Sequence, residues 1–104
     1  MRFMITCRIP VERGDELTKG SSLDSTIHSM MEELKPEAAY FSGIEGARVG
    51  YIVVSMDDAS QISSIVEPLY LRLGAAIQVH RVMSPEEEGK ATPAIEQASQ
   101  EEYG

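Results

Sequence analysis

Two short apolar segments with two-residue alternation stand far apart in this chain of 104 residues, at Phe3–Ile9 and Ala76–Met83. In the first, Phe3, Ile5, Cys7 and Ile9 fall on one side of an extended strand, with Met4, Thr6 and Arg8 on the other. In the second, Ile77 and Val79 alternate with Gln78, His80 and Val82. Between them the pattern changes period twice. Leu23, Ile27, Met30, Met31 and Leu34 recur at helical spacing, so a helix is expected from about Ser22 to Lys35, ended by Pro36. Strands follow at Ala38–Ser42 and Arg48–Met56, joined through Gly43-Ile44-Glu45-Gly46, whose two glycines suit the positive φ of a tight hairpin. A second helix then carries Ile62, Ile65, Val66, Leu69, Tyr70 and Leu73, with Pro68 placed to kink or split it and Gly74 to close it. The order is βαββαβ, which predicts an α+β fold with one four-stranded antiparallel sheet and two helices on one face.

The remaining segments are read by exclusion. Residues 11–22 carry two glycines and several charges, and are expected to form a loop. Two capping boxes are expected, Ser21 with Asp24 and Asp58 with Gln61. From Ser84 onward no apolar face recurs. The expected division is therefore a domain over 1–85 and an acidic, disordered tail over 86–104, with Ala91–Gln100 able to form a weak helix.

Charge excludes some partners. The chain has a net charge of −8, and residues 86–104 supply −5 of it from six acidic groups and one basic. Nucleic acid is not an expected partner, because phosphate contacts need clustered Lys and Arg. An anionic membrane surface is excluded on the same ground, and no run reaches the roughly 20 apolar residues of a membrane span. Strand-like alternation follows Arg2 where a signal peptide would be continuously apolar, so a cytoplasmic location is expected. Cys7 is the single cysteine, which suits a reducing compartment.

Strand 48–56 is apolar on both faces, through Val49, Tyr51, Ile52, Val53 and Val54, and so calls for cover on both sides. Two helices can cover only one. The other face is expected to present Thr6, Arg8, Gln78 and His80, joined by Tyr40, Ser42 or Tyr51 according to register. A guanidinium, an imidazole and phenols around an apolar cleft can hold a carboxylate or move a proton. These seven are the candidate ligand-binding residues; the plainer account makes Arg8 and His80 ordinary rim or interface groups.

Other conspicuous residues have simple structural readings. His28 reads as a solvated helix residue with no second ligand at metal spacing. Cys7 reads as a small buried hydrophobe. Asp57 and Asp58 read as turn and cap groups, and Met30, Met31 and Tyr70 as core. There is no glycine-rich phosphate loop and no metal-ligand pattern, so neither cofactor nor metal is expected.

The opening Met-Arg-Phe-Met-Ile-Thr-Cys-Arg-Ile-Pro, the double-sided strand 48–56 and the ending Ile77–Pro85 together resemble the ferredoxin-like dimeric α+β barrel superfamily. Within it the chain resembles short bacterial domains related to the muconolactone isomerase-like group, over residues 1–85. That resemblance implies a ferredoxin-like sandwich in which two sheets face each other across a homodimer axis. It implies a small apolar or aromatic molecule between the sheets, or a structural role. The alternative it offers is a cofactor-independent isomerase, cyclase or monooxygenase. The haem-degrading branch is disfavoured, since the chain has no Trp and no Asn/His/Trp set.

Overall fold

The computed structural model describes residues 1–20 and 22–103, and the side chains up to residue 99. Its elements run β1 (Arg2–Ile9), α1 (Val11–Lys19), α2 (Leu23–Leu34), β2 (Ala38–Ile44), β3 (Ala47–Ser55), α3 (Gln61–Leu73), β4 (Ala76–Val82) and α4 (Pro85–Tyr103). The four strands form one antiparallel sheet in the order β2-β3-β1-β4. The expected α+β class with a four-stranded antiparallel sheet is what the chain forms, with four helices in place of two.

Register sorts the side chains by face. Ile5 lies between Ile52 and Val79, Cys7 between Gly50 and Ile77, and Phe3 between Val54 and Arg81. The core gathers on this side. Ile5, Cys7, Ile9, Ile52 and Val54 from the sheet meet Met30 of α2 and Leu69 and Leu73 of α3. Burial of such aliphatic side chains, each contributing about 1.5–3 kcal/mol, is the main term holding the helices to the sheet. Tyr70, expected in this core, is 45% exposed. It follows Leu69 by one residue and so turns off the stripe that Val66, Leu69 and Leu73 make.

Two local departures have clear causes. Residues 11–19 are helical and not a loop. Pro10 sits just before the first turn, where a missing N–H costs nothing, and the Gly14 N–H donates to its carbonyl at 2.9 Å. Only Leu17 and Gly14 are buried in α1, too thin a stripe for periodicity to register. The hairpin loop is Glu45-Gly46 alone, with φ of 52° and 79°. Gly43 belongs to β2, paired with Arg48, so the expected four-residue loop contracts to two residues of positive φ, as a type I′ turn requires. α3 runs through Pro68 without splitting.

The acidic C-terminal segment carries a helix, α4, from Pro85 to Tyr103. Its start is a complete capping box. The Glu87 N–H donates to Ser84 Oγ at 3.2 Å, and the Ser84 N–H donates to Glu87 Oε1 at 3.1 Å. Pro85 in the first turn and Glu86–Glu88 at the positive end of the helix dipole complete it. Arg2 ties this end to the sheet, pairing with Glu87 and with Glu37 at 2.7 Å.

At α3 the expected box is formed in altered shape. Gln61 Oε1 accepts from the N–H groups of Asp57 and Asp58, at 2.8 and 3.1 Å, while Asp58 Oδ1 accepts from the Ser60 N–H at 2.9 Å. The other expected box includes Ser21, which lies outside the described residues.

Candidate functional site

All seven residues singled out from the sequence lie on the sheet face away from the helices. In β1 these are Thr6 and Arg8, in β2 Tyr40 and Ser42, in β3 Tyr51, and in β4 Gln78 and His80. Tyr40, Tyr51, Thr6 and Gln78 are successive cross-strand partners, one row across all four strands. Directly opposed Cβ atoms in such a sheet are about 4.5–5.5 Å apart, so the row is a continuous strip of polar-tipped side chains. On one side lies the row Ser42, Val49, Arg8, Ala76, and on the other Ala38, Val53, Met4, His80.

The rows set what the polar groups can do together. His80 Nε2 is 3.4 Å from Gln78 Oε1, and Arg8 pairs with Glu45 of the hairpin at 3.7 Å. Arg8 is opposite Ala76, four residues from His80. At about 3.3 Å per residue that places Arg8 and His80 roughly 13 Å apart along the strand. Within one chain they do not converge on one reacting atom. A depression of about 190 Å³ lies at the Arg8 end of this face, lined by Thr6, Arg8, Ile44, Val49, Tyr51 and Gln78 among others.

A larger cavity, about 530 Å³, opens on the opposite side of the sheet, between α2 and the β2–β3 edge. Its wall is mostly apolar and includes Cys7, Ile27, Met30 and Phe41, with Asp24 and Arg48 as its charged residues. Sequence reasoning missed it. The signal was Gly50, alone among apolar residues in the middle of a strand, which marks a close approach. A Cβ there would stand 3.2 Å from the Phe41 ring.

The titratable groups outside the open face behave structurally. Cys7 is 3% exposed, and burial pushes its thiol pKa up to about 11, away from nucleophilic thiolate character. His28 is solvent-exposed and paired with Glu32 at 3.1 Å. Among the described residues, no three His, Cys, Asp or Glu side chains gather where they could hold a metal ion. Among the same residues no helix is long and apolar enough to cross a membrane.

No known family model matches this chain, and no curated protein does. Among solved structures, a de novo designed protein, Ferredog-Diesel, is similar with a TM-score of 0.47 and 10% identity, over 78% of this chain and 85% of its own.

Proposed function

We propose that this chain works as a homodimer, or a higher homo-oligomer, closed through the open face of its sheet, with a small apolar or aromatic molecule held between the two sheets. One observation carries the reading. Met4, Tyr40, Ile44, Tyr51 and Val53 share a face that no helix of the chain covers. Contiguous apolar surface of several hundred Å² is rare on a free monomer and marks a contact or ligand surface. Thr6, Arg8, Ser42, Gln78 and His80 punctuate it with a few polar groups, the usual composition of a small-molecule site. The strand order β2-β3-β1-β4, with α2 and α3 on one side, supports a ferredoxin-like sandwich; its closure as a dimeric α+β barrel, related to the muconolactone isomerase-like group, is part of the same proposal. A cytoplasmic setting belongs to the same reading and is supported by the buried, unpaired Cys7.

The small volume of the depression on this face, about 190 Å³, favours a second reading, in which the partner's side chains fill the interface and the role is structural. Native mass spectrometry of protein purified from cells separates the two. A dimer carrying extra mass that unfolding releases supports the ligand-binding reading. A bare dimer supports the structural one. A monomer at micromolar concentration overturns both.

A further inference from the structure

β3 turns Arg48, Gly50, Ile52 and Val54 toward the helices, and of these Arg48 alone is charged. It lines the 530 Å³ cavity between α2 and the β2–β3 edge. Its guanidinium rests against the backbone of α1, where a Cβ at Gly14 would stand 2.7 Å from Nη1. Its ion pair there is long, 3.6 Å to Asp15, and its side chain is 40% exposed. Most of its N–H donors are therefore open to a further acceptor. Asp24 lines the same cavity from α2, on one helix face with Ile27 and Met31 at the i, i+3, i+7 spacing. Among the described residues Asp24 forms no ion pair, since Arg48 pairs with Asp15 instead. An apolar cavity thus carries one cation and one anion on its wall that do not neutralise each other.

We infer that this cavity is a binding site for a free apolar α-amino acid, its carboxylate on Arg48, its ammonium on Asp24 and its side chain among Met30, Met31 and Phe41. The two charges select the class. An apolar acid would bring a second anion to Asp24, and an apolar amine a second cation to Arg48, whereas a zwitterion complements both. A guanidinium holds a carboxylate through two parallel N–H bonds, which suits Arg48 to that end of the ligand. The volume lies within the range of about 300–1,000 Å³ usual for small-molecule sites. Gly43 and Gly50 border the space without putting a side chain into it. An aromatic side chain suits the wall, because thioether sulfur packs favourably at a ring edge. The site lies on the opposite side of the sheet from the open face and does not depend on a partner subunit.

Calorimetric titration of the full chain tests the two charges separately. The probes are L-phenylalanine, hydrocinnamate, which lacks the ammonium, and phenethylamine, which lacks the carboxylate. Phenylalanine should bind, and each of the other two about tenfold more weakly. Arg48→Met should weaken phenylalanine and leave phenethylamine binding no more weakly than before. Asp24→Asn should weaken phenylalanine and leave hydrocinnamate binding no more weakly than before. A Cβ at Gly43 meets only the Ala47 carbonyl oxygen, at 3.9 Å, so Gly43→Val keeps the strand and puts its bulk into the cavity. It should weaken all three probes. No binding of phenylalanine at millimolar concentration, or equal affinity for the three compounds, overturns the assignment, and both results need only the wild-type chain. Binding that survives Gly43→Val and is lost in Tyr51→Glu, on the opposite face, also overturns it and moves the ligand to the open face, so the two readings fail separately.

Discussion

At the residue scale, Lys35 and Glu45 hold positive-φ conformations that their side chains do not favour. Lys35 closes α2 with φ of 47° and ψ of 59°, in the left-handed region. Its N–H still donates to the Met31 carbonyl at 2.9 Å, so the turn is formed against a steric cost. Pro36 follows and prevents the helix from continuing. A left-handed conformation costs a non-glycine residue about 1 kcal/mol. Lys35→Gly should therefore stabilise the protein by about 0.5–1 kcal/mol, seen as a higher midpoint in urea with an unchanged slope. An unchanged or lower midpoint would mean that the Lys35 side chain contributes a compensating contact.

Asp58 gives a residue-scale pH dependence. The Ser60 backbone N–H, and then the Ser60 side chain, hold its carboxyl below the ordinary value of 3.8. Because the folded pKa lies below the unfolded one, the stabilisation is complete above the unfolded value and is lost as pH falls through the folded one. Asp58→Ala should lower the melting temperature at pH 7, and the gap to wild type should narrow toward pH 2–3. A gap independent of pH would place the effect in backbone propensity and not in the charge.

At the element scale, helix ends are where reading and structure part. α2 and the strands of the sheet carry strong apolar periodicity, and their limits agree with the sequence reading to within a few residues. α1 and α4 carry almost none. Their starts are nonetheless written in capping chemistry, Pro10 before α1 and Ser84-Pro85-Glu86-Glu87 at α4, which periodicity does not sense. Because α4 is mostly exposed from Glu88 to Ser99, this stretch contributes little to the core. Removing residues 90–104 keeps both the capping box and the Arg2–Glu87 pair. The melting temperature should then stay within a few degrees of the full chain. A larger fall would show that the outer part of α4 docks, on its own sheet or on a partner.

At the scale of the whole molecule, the sheet is covered on one face and bare on the other. The open face is a single surface, so one charge in its middle should act on the whole contact. Tyr51→Glu lies at the centre of the Tyr40, Tyr51, Thr6, Gln78 row. It should shift sedimentation toward monomer at micromolar concentration while leaving the circular dichroism of the fold intact. Thr6→Ser, in the same row, should leave the oligomer unchanged. If Tyr51→Glu remains fully oligomeric, the open face is not the contact that holds the assembly.

Alternation in Phe3–Ile9 and Ala76–Met83 placed Thr6, Arg8, Gln78 and His80 on one face from the sequence alone, because successive strand residues must point to opposite sides. The same rule made β3 two-sided before its neighbours were known. What alternation leaves open is which strands lie side by side. Only pairing of β1 with both β3 and β4 sets Thr6 between Tyr51 and Gln78, and only that register spaces Arg8 from His80. The contraction of the hairpin to Glu45-Gly46 set whether Tyr40 and Ser42 or Phe41 and Gly43 would share the open face, since a one-residue slip exchanges the two faces of a strand. The cavity beside α2 is likewise a tertiary fact. It depends on the distance at which a helix rests on a sheet edge, and no local preference of Phe41, Gly50 or Met30 specifies that distance.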